Sequence, residues 1–328
     1  MTAKTHLSEN EITTILSNYD LGELINSQLF LTGTVQTNIF MRTTKGAFVL
    51  RHYQNRSNEA VQFETHLCAY LSSRHYPCPA PFKNHRGEYT GLHNKKPYVI
   101  FEFMPGEHIE KPTEKQKDQL IQKVAELQII TRDYQPCALE HRFNYDINSC
   151  REKAAEQAAE INTINAALKL EWFEKELAEL QLPDSLAKGI CHNDFHFTNV
   201  LYHHGKFNAL IDFDDANYTY LAFDLIWLID PFKAAFNHDN WYNCKIDSSQ
   251  LDFKEARDTI AKYKSYRPLD NSEKQHLFDL YKLSILFDCI WYFARGDVNS
   301  FYEKEKINLI NSLGREGFYQ ALFTENKQ

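Results

Sequence analysis

Two short stretches of this chain hold side chains whose types and spacing suit chemistry. The first runs Ile190-Cys-His-Asn-Asp-Phe-His-Phe-Thr-Asn-Val-Leu-Tyr, and the second Phe207-Asn-Ala-Leu-Ile-Asp-Phe-Asp-Asp. Reduced to their polar positions they read His192-x-Asp194-x4-Asn199, then Ile211-Asp212-Phe213. An aspartate and an asparagine five apart mean little alone; the full set is more specific. Asp194 can accept the proton of an attacking hydroxyl. Asn199 offers a neutral oxygen to a hard divalent cation, and Asp212 brings a charged carboxylate to the same ion. The segments 199–204 and 207–212 read as a strand pair turned at His204-Gly205-Lys206, which predicts that Asn199 and Asp212 lie near one another. A base beside magnesium-held phosphates is the arrangement that phosphoryl transfer to a hydroxyl demands.

The rest of the chain must position those residues. Ser8 and Glu11 form a capping-box pattern before a short helix ending near Tyr19. Residues 29 to 53 hold β-rich runs, broken by Gly33 and by Thr44-Lys45-Gly46, and predict an antiparallel meander. A helix is expected over 58–73. Pro77, Pro79 and Pro81 then break the chain, and two strand-like runs surround Arg86-Gly87 and end in Lys96-Pro-Tyr-Val-Ile-Phe-Glu-Phe. After Pro105-Gly106 the character changes. Thr113 and Gln116 cap a helix with Leu120, Val124 and Leu127 at helical spacing. Residues 151 to 181 read as one long helical stretch that ends at Pro183, and aromatic-rich helical sequence fills the part after the island 190–213. The expected fold is α+β with two lobes: a small β-rich lobe over 1–101, a hinge at 102–107, and a larger, mainly helical lobe over 108–328.

Bulk composition narrows the function classes. The 328 residues are 43% hydrophobic and 14% aromatic, which suits an ordinary folded core. A net charge of -8 argues against nucleic acid as a partner. The seven cysteines show no C-x-x-C spacing, so neither a disulfide framework nor a zinc site is expected. The N-terminal residues carry no apolar signal core, and the longest apolar run, Tyr220 to Ile229, is short for a bilayer and holds Asp224. The expectation is a cytoplasmic protein with no membrane partner; the oligomeric state stays open.

The segment 190–229 resembles the aminoglycoside-phosphotransferase and choline-kinase superfamily, which has a protein-kinase-like fold. Its motif is similar to H-x-D-x-H-x-x-N followed by I-D-[FW]. The resemblance implies an enzyme using ATP and Mg2+, with Asp194 as catalytic base and Asn199 and Asp212 as metal ligands. His192 and His196 fit the motif's histidines, and Asp224 matches a helix-borne aspartate that supports the loop. Leu31-Thr-Gly-Thr-Val-Gln-Thr-Asn resembles the phosphate-covering hairpin, which places Gly33 and Thr34 at the nucleotide. Arg51, in Phe48-Val-Leu-Arg, stands where the family has a phosphate-binding lysine, and an arginine can pair with phosphate. Glu64 is the expected ion-pair partner of Arg51, with Glu59 as its rival. Tyr98 to Met104 resembles the segment that reads adenine through its backbone, which names Glu102 and Phe103 by position.

Within the superfamily, bacterial homoserine kinases resemble this chain over most of its length. Asn10-Glu-Ile-x3-Leu-x-x-Tyr19-Asp20-Leu-Gly22, Cys78-Pro79-x-Pro81 and Lys264-x-Tyr266-Arg267-Pro268-Leu269 carry that resemblance. It implies a small-molecule hydroxyl acceptor of the homoserine kind, with Arg295 offered to a carboxylate. Asp214, Asp215, Asp288, Trp227, Trp291 and Tyr292 instead suit a cationic acceptor such as choline, ethanolamine or an aminoglycoside. A protein Ser/Thr hydroxyl is a further alternative. A non-catalytic nucleotide-binding module is the alternative of another class: Arg51 favours it, whereas a positioned base at Asp194 argues against it.

Overall fold

The structure is a computed structural model that describes residues 5–31, 35–109, 111–195, 197–230 and 251–324. Gly33, Thr34 and His196 lie outside the described residues. The chain forms two compact units. One comprises Met1–Gln119, Ile130–Arg142 and His196–Ala216; the other comprises Leu120–Ile129, Phe143–Phe195 and Asn217–Gln328.

The first unit begins with α1 (Glu9–Leu16), closed by a reciprocal capping box between Ser8 and Glu11. Strands β1 (Leu24–Leu29), β2 (Thr37–Thr43) and β3 (Gly46–His52) follow as the expected antiparallel meander. With β4 (Thr90–His93) and β5 (Lys96–Glu102) they form a five-stranded antiparallel sheet of order β1-β2-β3-β5-β4. Side chains alternate between the two faces of a strand. Ile39, Met41, Phe48, Leu50, Tyr98 and Ile100 therefore share one face, where they pack with Ile12, Ile15 and Leu16 of α1. Arg51, next to Leu50 on β3, is sent to the other face. The helix α2 (Asn58–Ser73) has the bounds expected for it and is N-capped by Ser57.

Only one side of Arg86-Gly87 becomes strand. The run before it makes a single bridge, Pro81 to Phe101, since proline has no N–H to offer a ladder. The hairpin instead joins β4 to β5 through Asn94 and Lys95, both in the left-handed region at φ 51° and 65°. Such a two-residue turn matches the twist of antiparallel strands. The same device closes β7 (Val200–His203) on β8 (Lys206–Leu210), with His204 and Gly205 at φ 50° and 71°. Gly106 is tied to this hairpin, because Glu107 and Tyr202 exchange backbone hydrogen bonds at 2.9 and 3.0 Å. A Cβ on Gly106 would meet Leu201 at 2.9 Å, in a backbone at φ 153° that suits glycine.

Helix α3 (Glu114–Ile130) starts at the Thr113–Gln116 cap, and its residues are shared between the two units. In the second unit, the single helix expected over 151–181 is two: α4 (Ile147–Ile161) and α5 (Ile164–Ala178). Asn162 ends α4 in a left-handed conformation at φ 49°, and the Thr163 hydroxyl accepts the Ala166 N–H to start α5. Both residues are natural punctuation, one for a C-terminus and one for an N-cap. β6 (Lys188–Cys191) pairs with β9 (Asn217–Tyr220). Helices α6 (Ala222–Ile229), α7 (Phe253–Tyr266), α8 (Asn271–Gln275), α9 (Leu277–Trp291) and α10 (Tyr302–Phe323) complete the unit. Among the described residues no helix is long and apolar enough to cross a membrane.

Candidate active site

Asn199 and Asp212, the residues expected at a metal, belong to the first unit. Asn199 closes a 3-10 turn just before β7, and its carbonyl accepts the Ile211 N–H at 2.9 Å. Because β7 and β8 pair from Val200 opposite Leu210, this bond places Asn199 and Asp212 at one end of the hairpin. Asp212 sits in the left-handed region at φ 65°, unusual for a residue with a side chain and tolerated best by aspartate and asparagine. It begins the turn Phe213–Asp215, which carries the two further acidic residues.

Arg51 meets this turn from β3. Its Nη2 lies 2.6 Å from Asp212 Oδ1 and 3.7 Å from Asp214 Oδ2. Burial works against the Arg51 charge, and the Asp212 and Glu64 carboxylates more than outweigh it. The expected direct pair between Arg51 and Glu64 does not form. Glu64 is buried and accepts the Tyr53 hydroxyl at 2.9 Å, while the Arg51 guanidinium reaches the aspartates and passes over the Tyr53 ring. Burial pushes the Glu64 carboxyl up to about 7. Glu59, its rival, is exposed in the first turn of α2.

Asp214 is only 6% exposed. Arg56 Nε donates to its Oδ1 at 2.9 Å, and Gln36 Nε2 to its Oδ2 at 2.9 Å. Burial alone would raise its carboxyl; Arg51 and Arg56 outweigh that and hold it below the usual range. Asp215, half-exposed, accepts Arg56 Nη2 at 2.7 Å. The turn's main chain is clamped as well. Arg142, buried over the Phe63 ring, donates to the carbonyls of Asp214, Ala216 and Ala60.

At the proposed adenine segment, the Glu102 N–H donates to Ala80 O at 2.8 Å and the Phe103 N–H to Ala47 O at 3.4 Å. The Phe103 ring packs edge-on against Phe40, with centroids 5.0 Å apart.

Asp194, the expected base, and Asp224, expected to support its loop, belong to the second unit. β6 ends at Cys191, and the chain turns through Asn193 at φ 62° before Asp194. Asp224, in the first turn of α6, is fully buried. Its Oδ2 accepts the His192 N–H at 3.0 Å and its Oδ1 the Asn193 N–H at 2.9 Å. Both carboxylate oxygens thus grip the backbone that leads into Asp194. Burial outweighs these donors and pushes the Asp224 carboxyl up to about 7.

Over residues 28–269 the chain matches the model of the phosphotransferase enzyme family, well over half its length. It belongs to that family. The phosphotransferase is 28% identical to a homoserine kinase of Hyphomonas neptunium over 284 residues, 84% of each chain. It is 26% identical to a homoserine kinase of Parvibaculum lavamentivorans over 319 residues, 95% of this chain and 89% of that one. Solved structures share its fold. An amicoumacin kinase in complex with AMP-PNP and Ca2+ superposes with a TM-score of 0.60 at 16% identity, covering 96% of this chain and 94% of that one. A gentamicin–aminoglycoside phosphotransferase complex superposes with a TM-score of 0.60 at 14% identity and 98% coverage of both. The fold is therefore kinase-like and α+β, and the protein is a small-molecule phosphotransferase; the amicoumacin kinase is in complex with a nucleotide analogue and a divalent metal, Ca2+.

The donors at the hairpin end fit such a metal. An amide oxygen and a carboxylate are hard ligands, and a site with few protein ligands, completed by water and phosphate oxygens, is what Mg2+ prefers. Among the described residues no three His, Cys, Asp or Glu side chains gather as a metal cage.

The acceptor candidates divide between the units. Asp214 and Asp215 sit with Arg51 and Arg56 in the first. Trp227, Asp288, Trp291, Tyr292 and Arg295 sit in the second. Asp288 is half-buried near the end of α9, and burial pushes its carboxyl up to about 7, with the charges of Lys306, Glu303, Asp230 and Asp194 acting on it. Arg295 stacks over the Tyr292 ring at 4.4 Å. Trp227 and Trp291 are 41% and 67% exposed. Sequence reasoning missed Gln36, Arg56 and Arg142. Arg56 had a usable signal: it directly precedes the N-cap of α2, the helix end that a cation avoids, so another partner had to hold it. Gln36 and Arg142 carried none.

Proposed function

We propose that this phosphotransferase is an ATP- and Mg2+-dependent kinase whose acceptor is the side-chain hydroxyl of homoserine or a closely similar amino alcohol. The observation that carries the kinase chemistry is the hairpin end that pairs Asn199 with Asp212, five residues after an Asp194 whose loop hangs from Asp224. The homoserine assignment is supported by relatives of that name aligned over most of both chains.

In this reading Asp194 orients the acceptor hydroxyl and takes its proton as the γ-phosphoryl group is transferred in line. Asn199 and Asp212 hold Mg2+, which when bound neutralises phosphate charge. Arg51 adds a fixed cation at the phosphates. Asp224 holds the loop in register. Gly33 and Thr34 are assigned to the nucleotide and His196 to the loop by their place in the motif alone, and Glu64 fixes the packing behind Arg51. With the Glu102 and Phe103 N–H groups donating within the protein, adenine is read there by a carbonyl oxygen or beyond Phe103. The nucleotide lobe is assigned to 1–101 and the acceptor lobe to 108–328, with 102–107 as hinge, and the enzyme acts in the cytoplasm. This functional division differs from the compact units, in which 102–119, 130–142 and 196–216 group with 1–101.

A choline-like or aminoglycoside acceptor is the second reading. Asp288 beside the aromatic Trp291 and Tyr292 favours an ammonium group, which homoserine also carries. Arg295 separates the two, since only homoserine brings a carboxylate. The test is magnesium-dependent ADP release from ATP with L-homoserine, choline, ethanolamine, an aminoglycoside and a generic protein substrate. Turnover with L-homoserine that falls in Arg295→Met is the expected result. Turnover with another acceptor alone would replace the assignment.

A further inference from the structure

The environment of Arg51 is asymmetric. Its Nη2 faces two carboxylates: Asp212, whose side chain is 43% exposed, and Asp214, whose side chain is 9% exposed. Asp212 is the one assigned to a metal. A divalent cation on Asp212 competes directly with the guanidinium 2.6 Å from its Oδ1. Once that carboxylate turns to the metal, Arg51 is a buried charge that needs a remaining partner; Glu64 also acts on it, but is engaged by the Tyr53 hydroxyl and makes no direct ion pair with it.

Asp214 is built to be that partner. Gln36 and Arg56 hold both of its oxygens, and each holder is itself fixed. Gln36 Oε1 accepts the Gln54 N–H at 2.7 Å, and its Nε2 also donates to Asn55 Oδ1 at 3.0 Å. Arg56 is forked onto Asp215 through its other nitrogen. Arg142 pins the Asp214 carbonyl. A carboxylate immobilised at both its side chain and its main chain cannot follow Arg51, but Arg51 can stay near it.

Building on the proposed roles of Arg51 and Asp212, we propose that Asp214 is a positioning residue for the nucleotide: a fixed buried anchor that keeps the Arg51 guanidinium aimed at the phosphates when Asp212 binds metal. It acts through Arg51 and does not touch the acceptor. The bond that Arg51 makes to Asp212 is then a resting contact, exchanged for phosphate, while the weaker approach to Asp214 persists.

The experiment measures the Kd of a fluorescent ATP analogue with Mg2+, and the acceptor KM, in the wild type, Asp214→Asn, Arg51→Met and the double variant. A buried guanidinium that loses its remaining ion-pair partner is expected to cost about tenfold or more in binding. Asp214→Asn is expected to weaken the analogue about tenfold, leave the acceptor KM within about twofold, and have no further effect in the Arg51→Met background. Partial recovery is expected in Asp214→Glu. An unchanged Kd overturns the proposal, as does a rise in acceptor KM alone, which would return Asp214 to the acceptor pocket. Equal loss in both backgrounds also overturns it, because a purely structural carboxylate acts without Arg51. Gln36→Leu covers the case in which Asp214→Asn does not fold: it removes one holder, keeps the charges, and is expected to weaken the analogue about threefold with the acceptor KM unmoved. A wild type that binds no analogue would instead overturn the kinase reading itself.

Discussion

Replacing Asp194 by asparagine keeps size and hydrogen bonding but removes the proton acceptor. Turnover is expected to fall at least ~100-fold while the analogue still binds, the scale of a lost general base; single-turnover rates check this, and an unchanged rate would remove Asp194 from the chemistry. Asp212→Asn acts earlier. It takes a charge from the metal side, so titration calorimetry should show weaker binding of Mg-ATP, and wild-type affinity would count against the metal role. Asp224 gives a pH signature. Its carboxyl sits at about 7 in the folded chain against 3.8 for an ordinary aspartate. Between those values the native state holds a proton that the unfolded state has lost. The stabilisation is therefore fully present below about pH 4 and lost as the pH rises through about 7. Asp224→Asn lacks that titration, so the stability gap between wild type and variant should narrow from about pH 4 to about pH 7 and level off above it in denaturant melts. A gap that widens with pH would mean Asp224 is ionised throughout. The local part of this site, Asp194 to Asp224, was legible because its residues lie close along the chain. The Arg56, Gln36 and Arg142 contacts were not, since they join residues 158, 178 and 72 positions apart.

Elements were legible where local chemistry decides them. The β7–β8 turn is written in His204-Gly205, and the caps of α1 and α3 in Ser8–Glu11 and Thr113–Gln116. The break between α4 and α5 is equally local, yet it was hidden by the continuous helical composition on both sides. Thr163 is the residue that restarts the helix, its hydroxyl accepting the Ala166 N–H at 3.2 Å. Thr163→Ala should cost about 1 kcal/mol in urea melts, the usual worth of such a cap. No change would mean that tertiary packing alone sets the start of α5. β9 was missed for the opposite reason: Asn217-Tyr-Thr-Tyr is strand only because it pairs with Lys188–Cys191, some way back along the chain.

At the scale of the whole molecule, the nucleotide is a test of folding as well as of chemistry. The proposed ligands and their supports are threaded through the chain: Arg51 on β3, Asn199 and Asp212 on the β7–β8 hairpin, and Asp224 on α6. None of these gatherings exists in the unfolded chain, so Mg-ATP binds the native state alone and stabilises it by mass action. At a concentration about a hundredfold above Kd the gain is about 2.7 kcal/mol. In a chain of this size that raises the melting temperature by several degrees, and the rise should grow with the logarithm of nucleotide concentration. Arg51→Met and Asp212→Asn should lose most of it. Asp194→Asn should keep it, since the base takes no part in holding the nucleotide. A shift that vanished in Asp194→Asn as well would mean that binding and chemistry are not separable in this protein, and that the division of labour assigned to these residues is wrong.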